Sequence, residues 1–166
     1  ELYLVLSSHV QPRTQRVWLK IRIPGRPNGR KGWVPRRALG SMFAVRTRLV
    51  VDRRRLRATL RRNGRVVWRS RIGVGAPSTP TPSGRYWIRT RLRNLAGSSL
   101  YGPWAFGTAA YSRLSDWPGG GVIGVHGTNQ PSLIPGRPSH GCIRVPNHRI
   151  RVLARLMPIG TPVRIL

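Results

Sequence analysis

Two short runs hold the residues of this chain best suited to chemistry: Gly124-Val125-His126-Gly127-Thr128 and, after residues 129–138, Ser139-His140-Gly141-Cys142-Ile143-Arg144-Val145. Cys142 is the single cysteine, which excludes a disulfide within the chain. The thiolate, not the thiol, is the strong nucleophile, and a nearby imidazole or positive field favours it. Strand alternation turns Ile123 and Val125 to one side and Gly124 and His126 to the other. In the second run it sends Ile143 and Val145 to the core and leaves Cys142 and Arg144 opposite. If the two strands pair antiparallel across the 131–138 loop, imidazole and sulfur meet on one face and the sulfur is expected to ionise. Gly141 would let backbone N–H groups approach a developing oxyanion. A triad would add a carboxylate to orient the imidazole. Only Asp52 and Asp116 stand in the body of the chain, so a backbone carbonyl such as that of Gly127, or the Asn129 amide, is expected in that role. Two other uses of these residues stay open on spacing alone: a structural thiol and histidine, or a zinc site built from His126, His140, Cys142 and His148.

Elements must position those groups, and composition limits which ones. The 166 residues carry 31 Lys and Arg against three Asp and Glu, a formal charge of +28. Three scattered acids cannot supply the paired carboxyls of most glycosidases or the oxygen clusters of hydrolytic Mg²⁺ and Ca²⁺ sites. No metal or other cofactor is expected. The positive field attracts polyanions, nucleic acid or an anionic envelope alike. No zinc-finger or RNP motif is present, and the Arg53-Arg54-Arg55 run sits beside alternating Leu49, Val51, Leu56 and Leu60, which places its arginines on a solvated face. This argues against nucleic acid as the partner. No apolar run approaches the roughly 18 residues of a membrane span.

From residue 45 the chain reads as short strands at 45–51, 56–61, 65–74, 85–89, 104–107, 121–126 and 142–145, broken by Gly/Pro clusters such as 76–84. That spacing predicts an all-β sandwich or barrel. One short helix near the C-terminus is expected over 147–157, with Asn147 as N-cap and Ile150, Leu153, Ala154 and Met157 on its apolar face. A last strand follows from Pro162. Ahead of this domain (43–166), residues 1–42 carry an alternating strand at 17–23, a turn at 24–29 and Gly32-Trp33-Val34. These resemble part of a bacterial SH3-like β module used for adhesion. The start at Glu1, without an initiator Met or signal peptide, suggests a trimmed product, so targeting is not readable.

His-Gly-Thr, a loop, then Ser-His-Gly-Cys-Ile-Arg resembles the active-site signature of the L,D-transpeptidases, the YkuD-type domain, over about 43–166. Thr81-Pro82-Ser83-Gly84-Arg85-Tyr86-Trp87-Ile88 is similar to that family's upstream Thr-Pro-x-Gly motif, and Tyr101-Gly102-Pro103 looks like part of its substrate-covering region. Residues 127–138 make a slightly shorter loop than many members have. The resemblance implies an exported bacterial enzyme of the cell wall or periplasmic space that acts on peptidoglycan stem peptides. Cys142 would be the nucleophile and His126, oriented through Gly127, its base. His140 would line the pocket, Ser139 support the loop, and the Gly141 and Cys142 amides form the oxyanion hole. Arg144 would contact a stem carboxylate, and Trp104, Tyr111 and Trp117 could cover the substrate. The implied reaction passes a tetrapeptide acyl group, with loss of D-Ala, to the side-chain amine of another stem and forms a 3→3 cross-link. Water as acceptor would make it an L,D-carboxypeptidase. Carbapenem-type β-lactams would inhibit it, and anionic wall polymers would be further partners. A non-catalytic basic wall- or nucleic-acid-binding module is the alternative of a different class.

Overall fold

The computed structural model describes residues 1–93, 100–114, 116 and 118–166; Trp117 lies outside the described residues. The chain opens with β1 (Leu4–Gln11), β2 (Arg16–Arg22) and β3 (Lys31–Pro35), an antiparallel three-stranded sheet. A single 3₁₀ turn at Arg36–Ala38 and the segment 39–46 lead into the larger unit.

That unit is one ten-stranded sheet with one helix. Its strands in chain order are β4 (Thr47–Asp52), β5 (Arg57–Arg62), β6 (Arg65–Arg71), β7 (Gly73–Gly75), β8 (Gly84–Arg93), β9 (Trp104–Tyr111), β10 (Val122–His126), β11 (Gly136–Ser139), β12 (Ile143–Arg144) and β13 (Pro162–Ile165). Across the sheet they run β11-β7-β12-β10-β9-β8-β13-β4-β5-β6. The expected all-β class with one C-terminal helix is what forms. Period-two alternation does the work: Leu49 and Val51 of β4, Leu60 of β5 and Trp68 of β6 point to one side and are buried. Asn63 and Gly64, both at positive φ, make the tight turn between β5 and β6.

The helix α1 (Asn147–Leu156) buries Ile150, Leu153 and Ala154 against this sheet, the i, i+3, i+4 stripe of an amphipathic helix. It ends at Leu156, one residue short of the expected 147–157, with Met157 as its C-cap ahead of Pro158. Its start differs. Pro146 occupies the N-cap position and makes no side-chain cap; the Asn147 side chain is drawn away, its Oδ1 accepting the Thr128 N–H at 2.8 Å. The 65–74 segment splits into β6 and β7, and β11 forms where only a loop was expected.

The central correction concerns the two strands of the site. β10 and β12 pair parallel, with Val125 opposite Ile143 and His126 opposite Arg144. Parallel neighbours need a crossover of about a dozen residues or more. Residues 127–142 provide it, running out through β11, which pairs parallel with β7, and back to the start of β12.

The two sheets meet through polar contacts as well as packing. The Trp87 indole N–H donates to the Leu2 carbonyl at 2.9 Å, and Arg89 pairs with Glu1 at 2.5 Å. Among the described residues no helix is long and apolar enough to cross a membrane.

Candidate active site

Parallel pairing changes which groups face one another. His126 is the last residue of β10, and Cys142 sits one residue before β12, so the sulfur lies beside Gly124 rather than directly opposite the imidazole. The Gly124 N–H points at Cys142 Sγ, 3.3 Å away. A Cβ placed on Gly124 would meet His126 Cδ2 at 3.5 Å and Cys142 Sγ at 3.8 Å. The bare glycine therefore leaves a small space flanked by the imidazole and the sulfur. A side chain there would fill it.

His126 is 3 % exposed. Its Nδ1 lies 2.6 Å from the Gly127 carbonyl oxygen. A carbonyl only accepts, so Nδ1 carries the hydrogen and Nε2 keeps its lone pair. The expected backbone orienter is thus Gly127; Asn129 stands exposed. Burial lowers the imidazole pKa to about 4, and the nearby Arg144 charge pushes it the same way, against the opposing Gly127 hydrogen bond. The histidine is neutral at pH 7.

Burial also raises the Cys142 pKa; the Gly124 N–H and Arg144 pull it down by less. The expectation of an ionised sulfur in the free protein is therefore corrected. Desolvation outweighs the positive field, and the resting pair is thiol and neutral imidazole.

The loop that presents the sulfur is tied on several sides. Ser139 is buried; its hydroxyl donates to the Cys142 carbonyl at 2.6 Å and accepts the Gly141 N–H at 3.2 Å. That second bond occupies the Gly141 amide, which corrects its expected place in the oxyanion hole and leaves the Cys142 N–H as the loop's candidate donor. Gly141 takes φ +119°, a conformation L side chains rarely adopt, and a Cβ there would come within 2.7 Å of Ile123 Cδ1. Its carbonyl accepts the Thr81 hydroxyl at 2.7 Å, and the same hydroxyl accepts the Gly75 N–H at 2.9 Å. Thr81 is 1 % exposed. The Ser139 carbonyl accepts the Ala76 N–H at 2.8 Å.

Other expected residues fall where the fold puts them. Tyr101 stands edge-on to the His126 ring, centroids 4.9 Å apart. Gly102 makes that approach possible: a Cβ on it would collide with Gly127 Cα and Thr128 N, both at 2.7 Å. His140 is exposed beside the loop, and His148 is exposed on α1. Arg144 is 9 % exposed and its Nη1 donates to Gln130 at 2.9 Å. Its Nε is buried without a partner. This corrects its reading as an open carboxylate contact: it is a fixed positive charge behind the histidine and the sulfur. Trp104 lies on β9 under Arg91, and its carbonyl accepts the Gly127 N–H at 3.1 Å. Tyr111 packs under Arg26, from the turn that follows β2. Among the described residues no group of three His, Cys, Asp or Glu side chains could hold a metal ion.

Sequence reasoning missed Thr81, Asn147 and Ser112 as supports of the site; the Ser112 hydroxyl donates to the His140 carbonyl at 3.4 Å. Thr81 sits inside the quoted Thr-Pro-Ser-Gly run, so a signal for it was present; Asn147 was read only as a cap.

Comparison with known proteins bears on the fold and the family. Residues 46–165 match the YkuD family, described as the L,D-transpeptidase catalytic domain. YkuD of Bacillus subtilis (strain 168) is 39 % identical over 107 residues, which are 64 % of this chain and 58 % of that protein. The chain thus spans little more than half the length of that relative. The Ldtfm-avibactam carbamoyl enzyme is 25 % identical with a TM-score of 0.57, covering 74 % of this chain and 49 % of its own. The Enterococcus faecium L,D-transpeptidase C442S mutant is 24 % identical with a TM-score of 0.58, covering 72 % and 49 %; at that identity the likeness speaks to the fold.

Proposed function

The chain belongs to the YkuD family of L,D-transpeptidase catalytic domains, and from that premise we propose that it is a peptidoglycan L,D-transpeptidase in which Cys142 is the acyl-accepting nucleophile and His126 its base. The observation that carries the reading is the space above Gly124, flanked by the sulfur and by an imidazole whose tautomer is set by Gly127.

Both partners rest neutral because burial penalises each charge separately. Creating both charges together, in one low-dielectric site, lets their attraction offset part of that penalty. The thiol therefore loses its proton as it attacks. Its S–C bond forms at the carbonyl of the third stem residue, a diamino acid, while the thiol proton passes to His126 Nε2. The oxyanion that develops takes the Cys142 N–H, with Arg144 stabilising negative charge from behind. Collapse breaks the C–N bond, and the imidazolium returns its proton to the departing D-Ala amine. A side-chain amine of a second stem then attacks the thioester, His126 takes that proton, and the sulfur leaves and is reprotonated. The product is a 3→3 cross-link. With water in place of the amine the same steps make an L,D-carboxypeptidase.

The substrate lies outside the cytoplasmic membrane, so the reading places the enzyme in the cell wall or periplasmic space. Anionic wall polymers suit the +28 charge; Arg22, Arg48, Arg85 and Arg164 line a hollow of about 250 Å³ with no acidic side chain among its walls. The test of the chemistry is a mass shift. A carbapenem or avibactam should add once to the intact protein and not to Cys142→Ala. No adduct on the native protein, or one that persists in the variant, overturns the assignment.

A further inference from the structure

The N-terminal sheet reaches the loop that carries the sulfur. The turn between β2 and β3 presents Arg26 and Asn28 to the end of β9 and the segment after it. Arg26 Nε donates to the Ser112 carbonyl at 3.2 Å, and its Nη2 donates to the carbonyls of Leu114 at 2.8 Å and Gly120 at 3.0 Å. Its guanidinium also lies over the Tyr111 ring, 5.2 Å from the centroid. Asn28 donates to the Tyr111 carbonyl at 2.8 Å and accepts the Tyr111 N–H at 2.9 Å, bonding as one more strand residue would. Next to Gly120 the backbone makes room: Gly121 takes φ +73°, and a Cβ there would collide with Arg26 Nη2.

What Arg26 holds is next to the nucleophile. Ser112 N–H donates to Gly121 at 2.8 Å and closes the base of the β9–β10 connection, so it sets where β10, and hence His126 and the Gly124 N–H, begins. The Ser112 hydroxyl donates to the His140 carbonyl at 3.4 Å, and it lies 3.7 Å from where a Gly141 Cβ would be. One serine therefore touches the N-terminal sheet through its carbonyl and the cysteine loop through its hydroxyl.

We propose that Arg26 and Asn28 are positioning residues of the acyl-transfer site: by fixing Ser112 they hold the Ser139–Cys142 loop in register with β10, so that the N-terminal sheet is a working part of the catalytic unit. The proposal rests on Cys142 being the nucleophile. It predicts that loosening the turn misplaces the sulfur relative to the Gly124 N–H and His126, while the substrate-facing groups stay as they are.

The experiment uses the full chain. Arg26→Gln/Asn28→Ala, Ser112→Ala and Arg26→Lys are compared with the native protein and with Arg62→Gln, which removes an arginine–carbonyl bond to Leu156 elsewhere. Two readouts are taken on folded protein: the rate constant of imipenem acylation at saturation, and the pH profile of Cys142 alkylation by iodoacetamide. In the double variant and in Ser112→Ala, acylation is expected to fall about tenfold or more, since small misplacements cost up to about 10². The drug's apparent binding constant should stay within about twofold, and the alkylation midpoint should move to higher pH as the N–H···S contact weakens. Arg26→Lys, which keeps one donor group at the site, should recover part of the loss, and Arg62→Gln should match the native protein. If the double variant does not fold, Ser112→Ala decides. Native acylation rates together with native alkylation profiles in these variants overturn the proposal. A native protein that is not acylated at all instead sinks the acyl-transfer reading, while the alkylation profiles still judge the clamp.

Discussion

Thr81→Val replaces one hydroxyl by a methyl group of nearly the same shape at a site that is 1 % exposed. Two backbone groups lose their partner at once: the Gly75 N–H, 2.9 Å from Oγ1, and the Gly141 carbonyl, 2.7 Å from it. Both residues are buried, so water cannot replace the hydroxyl without opening the fold. A buried group left unpaired costs about 1–3 kcal/mol, which puts the loss of two between about 2 and 6 kcal/mol. For a chain of this size that is roughly 4–24 °C in melting temperature. Thr79→Val is the internal comparison: it removes a single longer bond, 3.3 Å to the Ser139 carbonyl, at a half-buried site, and should cost within about 1 kcal/mol. Urea unfolding of the three proteins, followed by tryptophan fluorescence, measures both. Equal stability of Thr81→Val and native protein would refute the claim that this hydroxyl ties the cysteine loop to β7.

Three further outcomes are expected. His126→Ala should lower the rate of β-lactam acylation by about 10²–10⁴, the usual worth of a general base; an unchanged rate would move the base elsewhere, with His140 the first candidate. Stability should depend on pH through the same residue. The folded imidazole titrates near 4 and the unfolded one near its ordinary 6.5, so between those values the unfolded chain binds more protons. Stability is thus fully present above about pH 6.5 and declines as pH falls towards 4, by about 3 kcal/mol in all. His126→Gln should flatten that slope in urea titrations at pH 4 to 7, and an identical slope would count against the buried neutral imidazole. Gly124→Ala should fill the space between His126 and Cys142 and stop acylation while the protein stays folded. Acylation at the native rate would show that the reacting carbonyl does not enter there.

Much of this architecture was legible in residue pattern because alternation is local. Leu49 and Val51, or Ile143 and Val145, declare their buried face without reference to any other strand, and the Asn63-Gly64 turn declares a hairpin. The same logic placed Gly124 and His126 on one face. Partner and direction of a strand are not local. β10 and β12 pair parallel because residues 127–142 run out and back through β11, and Gly136-Arg137-Pro138-Ser139 carries no strand signature of its own. The state of the sulfur was misjudged for a related reason. The sequence displays its charges, so the positive field was visible, but the desolvation of Cys142 and of His126, 3 % exposed in the folded chain, exists only once strands distant in sequence have come together. Supports such as Ser112 and Asn147 were hidden because they act through backbone atoms of residues far away in sequence, where no motif forms.

The central claim is that Cys142 passes an acyl group between stem peptides. Incubating the purified protein with a disaccharide-tetrapeptide and following products by mass spectrometry tests it directly. The account predicts loss of D-Ala with appearance of a dimer joined between third-position residues, and neither product from Cys142→Ala. Untouched tetrapeptide, or identical products from the Cys142→Ala protein, would contradict it.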